Sequence, residues 1–262
     1  MNLEAGAFDP DAVKGALRTA WIGRDLRAYR STTSTNDLLL RGGGGAPGTV
    51  AVAEEQTEGR GRRGREWTAP PYRALLFSVL LRPGGDAESA SLANLAAGVA
   101  VVRGVEERGG PPLRVRWPND LYSGERKVCG ILSEYRPAEG NLVIGVGLNV
   151  NQTAEELPPG GASLRTITGR TWVREPLLAS ILGRLERAVD RLAAEGFEPL
   201  RREAEELSDL VGRPVTLDLG RETVRGRAVG IGPKGGLLLQ EEKGLIEYRI
   251  GEVTRVLSVE GY

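Results

Sequence analysis

Apolar positions in this chain change their period along its length, and the changes mark its elements. Two short unbroken apolar runs, Thr49 to Ala53 and Leu75 to Leu81, read as buried strands. The first follows a glycine loop, Gly42 to Gly45 with Pro47-Gly48, and the second stops at Pro83 and two glycines. From Ala90 to Val105 the side chains Leu92, Leu95, Ala96, Val99, Val102 and Val105 recur at helical spacing. A second amphipathic helix starts near Arg174, with Pro176 in its first turn and Leu177, Leu178, Ile181, Leu182, Leu185, Val189 and Leu192 along one face. Phe197 to Leu207 reads as another helix, and Pro10 to Leu17 as a short one capped by Asp9. Val128 to Tyr135 and Asn141 to Val150 have the character of a hairpin.

Beyond Leu210 the period shortens again. Val215 to Leu219, Val224 to Val229, Leu237 to Leu239 and Ile246 to Ile250 are brief alternating segments separated by glycine turns, which predicts a small β-barrel. Gly232-Pro233-Lys234-Gly235-Gly236 lacks the spacing of a P-loop and reads as a hairpin turn. The expected class is therefore α+β: a mixed sheet packed with helices over residues 1–208, then the barrel over residues 209–262.

Composition narrows the chemistry. At 262 residues and 40% hydrophobic content the chain can bury a proper core, and 35 basic residues balance 35 acidic ones, which argues against a wholly basic nucleic-acid surface. Zero histidines remove Ser-His-Asp and Cys-His catalysis and every histidine-ligated zinc site. One cysteine, Cys129, rules out an internal disulfide and suits the cytoplasm, and it reads as a small buried hydrophobe. No run is long enough to span a membrane. Only Lys14, Lys127, Lys234 and Lys243 among the 35 basic residues are lysine, so a retained lysine points to a role that needs a compact point charge.

Gly59-Arg60-Gly61-Arg62-Arg63-Gly64-Arg65-Glu66-Trp67 sets four arginines and three glycines beside a tryptophan. Glycine allows close backbone approach and arginine forks match carboxylate and phosphate oxygens, so the run reads as an anion-gripping loop. A Gly/Arg-rich RNA-binding segment is the alternative. Ser34-Thr35-Asn36 stands at a loop-to-helix junction, where it either caps the helix or binds a polar ligand, and Gln56 lies three residues before Gly59. Arg114 to Leu121 holds Trp117-Pro118-Asn119-Asp120, either an Asx turn or a polar site at a strand end. Lys127 opens Lys-Val-Cys-Gly-Ile-Leu, and Gly145-Val146-Gly147-Leu148-Asn149-Val150-Asn151 alternates glycine with apolar residues, as if a flat ligand lay against a bare strand.

In this order and with these separations, the Gly/Arg run with its tryptophan, Trp-Pro-Asn-Asp with Lys-Val-Cys-Gly-Ile-Leu, and Gly-Val-Gly-Leu-Asn-Val-Asn closely resemble the biotin protein ligases. The match runs from about Ser34 to Asn151 and more loosely into the carboxy-terminal segment. The resemblance implies a class II synthetase-like catalytic domain with an SH3-like barrel. It also implies activation of biotin by ATP, with Mg²⁺, to biotinyl-5′-AMP, then transfer to one lysine of a biotin carboxyl carrier protein or domain, such as that of acetyl-CoA carboxylase. Matched by motif, Ser34, Thr35, Asn36, Gln56, Arg60, Gly61, Arg62, Arg65, Lys127, Gly130 and Gly145 are expected to contact biotin or the adenylate, and Trp67 to stack on adenine. Asn119, Asp120 and Asn149 are expected around the adenylate and metal. Lys127, Arg62 and Asp120 are the catalytic expectations, with Asp120 either a metal ligand or a base.

The chain departs from the pattern in having Arg116 where lysine is frequent, and Arg255 lies one place away from a nucleotide-contacting arginine of some relatives, so it is left unassigned. About thirty residues before Ser34 are too few for the DNA-binding domain many relatives carry, so a monofunctional ligase is expected, with no DNA partner. A lipoate or octanoate ligase or transferase is the neighbouring activity. The loop 59–66 has few apolar groups to offset its ordering and is expected to be mobile until it closes on a ligand. Ile131 to Tyr135 could pair with its copy in a homodimer.

Overall fold

A computed structural model describes residues 7–40, 44–83 and 88–256. Gly42 and Gly43 of the predicted glycine loop, and the two glycines after Pro83, lie outside the described residues. In chain order the elements of the first part are α1 (Pro10–Ala16), β1 (Leu26–Tyr29), α2 (Thr35–Leu40), β2 (Val50–Ala53), β3 (Ala74–Leu81), α3 (Glu88–Glu107), β4 (Arg114–Arg116), β5 (Asp120–Ser123), β6 (Arg126–Arg136), β7 (Asn141–Asn149), α4 (Leu164–Thr168), α5 (Arg174–Glu195) and α6 (Glu198–Glu206). Its seven strands form one sheet in the order β1-β2-β3-β7-β6-β5-β4, with β1 and β2 parallel and every other neighbour antiparallel.

Alternation along β7 sorts the two faces. Leu142, Ile144, Val146 and Leu148 join the main core with α3 and α5, whereas Val143 joins a smaller cluster with Leu39, Leu40, Ala51 and Leu80 under α2. Because both faces of β2 and β3 are covered, their four and eight residues are buried throughout, and this is why they read as unbroken apolar runs. The glycines of β7, Gly145 and Gly147, share the α2 face with Val143. Asp9 caps α1 through the Asp11 and Ala12 N–H groups, as its position before Pro10 predicts.

The second sheet holds β8 (Pro214–Asp218), β9 (Thr223–Ile231), β10 (Leu237–Glu241), β11 (Gly244–Tyr248) and β12 (Glu252–Val256), antiparallel in the order β11-β10-β9-β8-β12. The segment predicted to run from Ile246 to Ile250 ends at Tyr248, and Ile250 is 70% exposed in the turn to β12. Gly232 to Gly236 forms the predicted hairpin turn, and this turn joins the two sheets. Trp117 Nε1 donates to Gly235 O at 2.9 Å, while a methyl on Gly235, at φ +78°, would sit 3.0 Å from Leu92 of α3. The inward side chains of the second sheet continue the same contact: Val215, Leu217, Ala228, Leu237 and Leu239 belong to the main core.

Cys129 is fully buried in β6, and burial pushes its thiol well above the usual range, as a small hydrophobe rather than a nucleophile requires. A buried ion pair, Arg174 with Glu54, ties the start of α5 to the end of β2. No helix among the described residues is long and apolar enough to cross a membrane.

Candidate functional site

The centre of the site is the bare patch where β6 and β7 meet. Gly130 and Gly147 are register partners, and the Trp67 indole lies across both. A methyl on Gly147 would be 2.4 Å from Trp67 Cε2, and one on Gly130 would be 2.7 Å from Cζ3. At Gly145 the space is taken by Asn36, whose Oδ1 would be 2.2 Å from a methyl. The missing side chains therefore make room for two of the chain's own groups, where the sequence pattern suggested a ligand lying directly on the strand. The remaining face of the indole borders the cavity.

Thr35 and Asn36 turn inward instead of capping α2. Thr35 N and Oγ1 donate to Gln56 Oε1 at 2.8 and 2.9 Å. Ser78 Oγ lies 2.7 Å from Thr35 Oγ1 and 2.6 Å from Asn36 Oδ1. Asn36 Nδ2 donates to Glu134 Oε2 at 2.6 Å and to Leu132 O at 3.2 Å. These partners come from β3, β6 and the segment after β2, and together they lock the polar end of the cavity.

Between residues 59 and 67 the chain makes a closed turn. Trp67 N donates to Gly59 O, Gly61 N to Arg65 O, and a single 3₁₀ turn at Arg62–Gly64 places Arg63 at φ 56°. Gly59 is required where it is, since a methyl there would meet Trp67 O at 2.3 Å. Arg60 is held by Asp37 at 2.7 Å and Glu134 at 3.2 Å, and the Asp37 hydrogen bond is the main reason its guanidinium is shifted to higher pKa. Arg63 and Arg65 reach Asp218 and Glu252 at 2.6 and 2.7 Å. The loop was expected to have little to hold it; these ion pairs correct that premise, because its partners lie far away in sequence.

Arg62 differs from its neighbours. Its Nη1 donates to Gly251 O at 3.1 Å and approaches Asn119 Oδ1 at 3.5 Å, and among the described residues no carboxylate stands within ion-pair distance of it. Burial, then the charge of Arg63, lowers its pKa, though an arginine stays charged. Lys127 Nζ sits 2.8 Å from Asp120 Oδ1 and 5.6 Å from the Trp67 ring centre. Its backbone is fixed between Gly160 and Ala162, and Asn119 Nδ2 donates to Ile131 O at 2.7 Å. Asp120 opens β5 and pairs with Gly130, which brings the carboxylate to the patch.

One cavity is lined by Ser34, Thr35, Asn36, Gln56, Arg60, Gly61, Arg62, Arg65, Trp67, Asn119, Asp120, Lys127, Gly130 and Gly145. Asn149 does not reach it. Its Nδ2 donates to Ala162 O at 3.0 Å and its Oδ1 accepts from Gln152, so it is a buried brace at the end of β7. Glu66, Ile131, Leu132, Val146 and Gly147 also line the cavity without having been singled out for it. Gly147 carried a signal in the Gly-Val-Gly spacing; Glu134 and Asp37 carried none, because only the fold sets them opposite Arg60. Among the described residues no group of three or more acidic or thiol side chains is placed to hold a metal, and Asp120 is already engaged by Lys127.

The sequence model of the Biotin/lipoate A/B protein ligase family matches residues 28–151, and that of the Biotin protein ligase C terminal domain matches residues 210–254. The chain is 37% identical over 189 residues to the biotin–[acetyl-CoA-carboxylase] ligase of Mycobacterium tuberculosis, covering 68% of this chain and 70% of the relative. It is 30% identical over 249 residues to the bifunctional ligase/repressor BirA of Bacillus subtilis, covering 92% and 77%. Among solved structures, the biotin protein ligase of Aquifex aeolicus in complex with biotin and ATP superposes with a TM-score of 0.79 at 33% identity, covering 88% of this chain and 98% of that one. With the glycine-bedded tryptophan, the arginine loop and the lysine–aspartate pair in one cavity, these matches establish that the chain belongs to the biotin protein ligase family.

Proposed function

We propose that the chain activates biotin with ATP to biotinyl-5′-AMP and transfers biotin to one lysine of a biotin carboxyl carrier protein or domain, that of acetyl-CoA carboxylase being the expected acceptor. The observation that carries this reading is Lys127 on Asp120 beside Trp67, with Arg62 uncommitted to any carboxylate at the same cavity among the described residues. In the first step a biotin carboxylate oxygen attacks the α-phosphorus, the bond to the bridging oxygen breaks and pyrophosphate leaves. Two like charges at about 4 Å oppose the approach by roughly 4 kcal/mol at an effective dielectric near 20, which fixed cations must cancel. Lys127 and Arg62 are those cations. In the second step the acceptor amine attacks the acyl carbon, AMP leaves, and the amine loses a proton.

The polar end formed by Ser34, Thr35, Asn36 and Gln56 suits a neutral ring with donors and acceptors, and the exposed face of Trp67 suits adenine. A single carboxylate fits a Mg²⁺ ion that arrives on the triphosphate, since that ion keeps most of its waters and phosphate oxygens. Trp67→Ala should raise the KM for ATP by about ten- to hundredfold. The KM for biotin should move far less, and equal shifts in both would remove the tryptophan from the nucleotide side. Lipoate is the neighbouring substrate: pyrophosphate release with biotin and none with lipoate supports the reading, and the reverse preference rejects it.

The same reading divides the chain at residues 208 and 209, between the end of α6 and the start of β8. The buried free thiol of Cys129 supports a cytoplasmic location. Pairing of β6 between two copies is narrower than the sequence suggested. The Ile131 N–H is taken by Asn119 O and that of Ser133 by Asn94 Oδ1, so neither is offered to a second copy. Sedimentation of a monomer at micromolar concentrations would reject such a dimer.

A further inference from the structure

The arginine loop divides its grip between the two sheets. Arg60 is held on the side of the first sheet, by Asp37 of α2 and Glu134 of β6, and Arg62 approaches Asn119 Oδ1 there at 3.5 Å. Arg62, Arg63 and Arg65 all reach the second: Arg62 donates to Gly251 O, Arg63 Nη1 meets Asp218 Oδ2 at 2.6 Å and Glu252 Oε2 at 3.6 Å, and Arg65 Nη2 meets Glu252 Oε1 at 2.7 Å. We infer that Asp218 and Glu252 are positioning residues, which fix the loop over the cavity from the C-terminal sheet and so set the rate at which it opens. This rests on reading the loop as one wall of the biotinyl-adenylate site.

Four features make the arrangement a built one. Asp218 ends β8, Glu252 begins β12, and the two are register partners, so one end of one ladder presents both carboxylates. Asp218 is itself fixed, because its Oδ1 accepts from Gly220 N at 2.7 Å while its backbone carbonyl accepts from Arg63 Nη2 at 2.9 Å. Arg63 sits at φ 56°, a conformation uncommon outside glycine, and there its side chain leaves the cavity wall and reaches the sheet. Arg65 does both, lining the cavity and pairing with Glu252. A single exposed ion pair contributes little, but contacts that converge on one turn open together or not at all.

Hydrogen exchange of residues 59–66 in the free full-length protein tests this without any ligand. Asp218→Asn with Glu252→Gln should speed exchange there by about tenfold, and about 1 M NaCl should do the same to the parent protein but add little to the double variant. Glu252→Arg alone should also speed it, and Arg65→Glu with Glu252→Arg should restore the parental rate. Exchange in the double variant within about twofold of the parent, or failure of the charge exchange to restore it, overturns the inference. Because no substrate is present, neither result depends on the proposed activity, which stands or falls on pyrophosphate chemistry.

Discussion

Lys127→Arg should keep the fold and lose about 10²- to 10³-fold in biotin-dependent pyrophosphate release, the range seen when one preorganised charge-stabilising donor is removed. The space explains the size of the effect. Lys127 leaves β6 beside the glycine patch, passes within reach of the Trp67 ring and ends 2.8 Å from Asp120. A thin stem and a compact ammonium fit there; a planar fork with five fixed donors would displace the indole or the carboxylate. Charge is conserved in the substitution, so a loss isolates geometry. Release by the variant within about threefold of the parent would show that position 127 supplies only a positive field.

Arg174→Met should lower unfolding stability by about 3 to 5 kcal/mol, the cost of leaving a buried carboxylate without its partner. Arg174 and Glu54 are 4% and 6% exposed, and their two forks meet at 2.5 and 2.9 Å. Arg174 also donates to Ala74 O at the start of β3, and Glu54 accepts from Phe8 N, so the pair joins the amino-terminal segment, two strands and α5. Glu54 lies two residues before Gln56, which orients Thr35 in the cavity. Urea unfolding gives the check. Glu54→Gln combined with Arg174→Met should recover part of the loss, because no buried charge then remains, and a single-variant loss below about 1 kcal/mol would contradict the assignment.

The long helices and central strands were legible because their apolar periods are long and unmixed, whereas α4, only five residues long, was not. α3 and α5 follow from their leucine and valine spacing, and β2 and β3 from unbroken runs. β1, β5 and β12 were not legible: each is four or five residues long, and their half-polar sequences carry no period to read. At the site, Gly145 and Gly147 announced that a flat body lies on the sheet, but the absence of a side chain does not name its occupant, which proved to be Asn36 at Gly145 and Trp67 at Gly147, with Gly130 completing the bed of the indole. Asn149 instead bonds Ala162 O and Gln152, and the sequence carried no sign of this because a strand-end amide looks alike whether it faces a cavity or a neighbouring loop. The arginine loop was legible as a gripping element, whereas its partners Asp218 and Glu252 lie more than 150 residues away, and only packing of the second sheet brings them near.

In the proposed reaction one cavity, with Lys127 and Arg62 as its fixed cations, joins biotin to the α-phosphate of ATP. Isotope exchange between pyrophosphate and ATP measures that step alone, without a carrier protein. Exchange should require biotin and fall with Lys127→Arg; exchange that proceeds equally without biotin, or none with biotin, Mg²⁺ and ATP all present, would rule this reaction out.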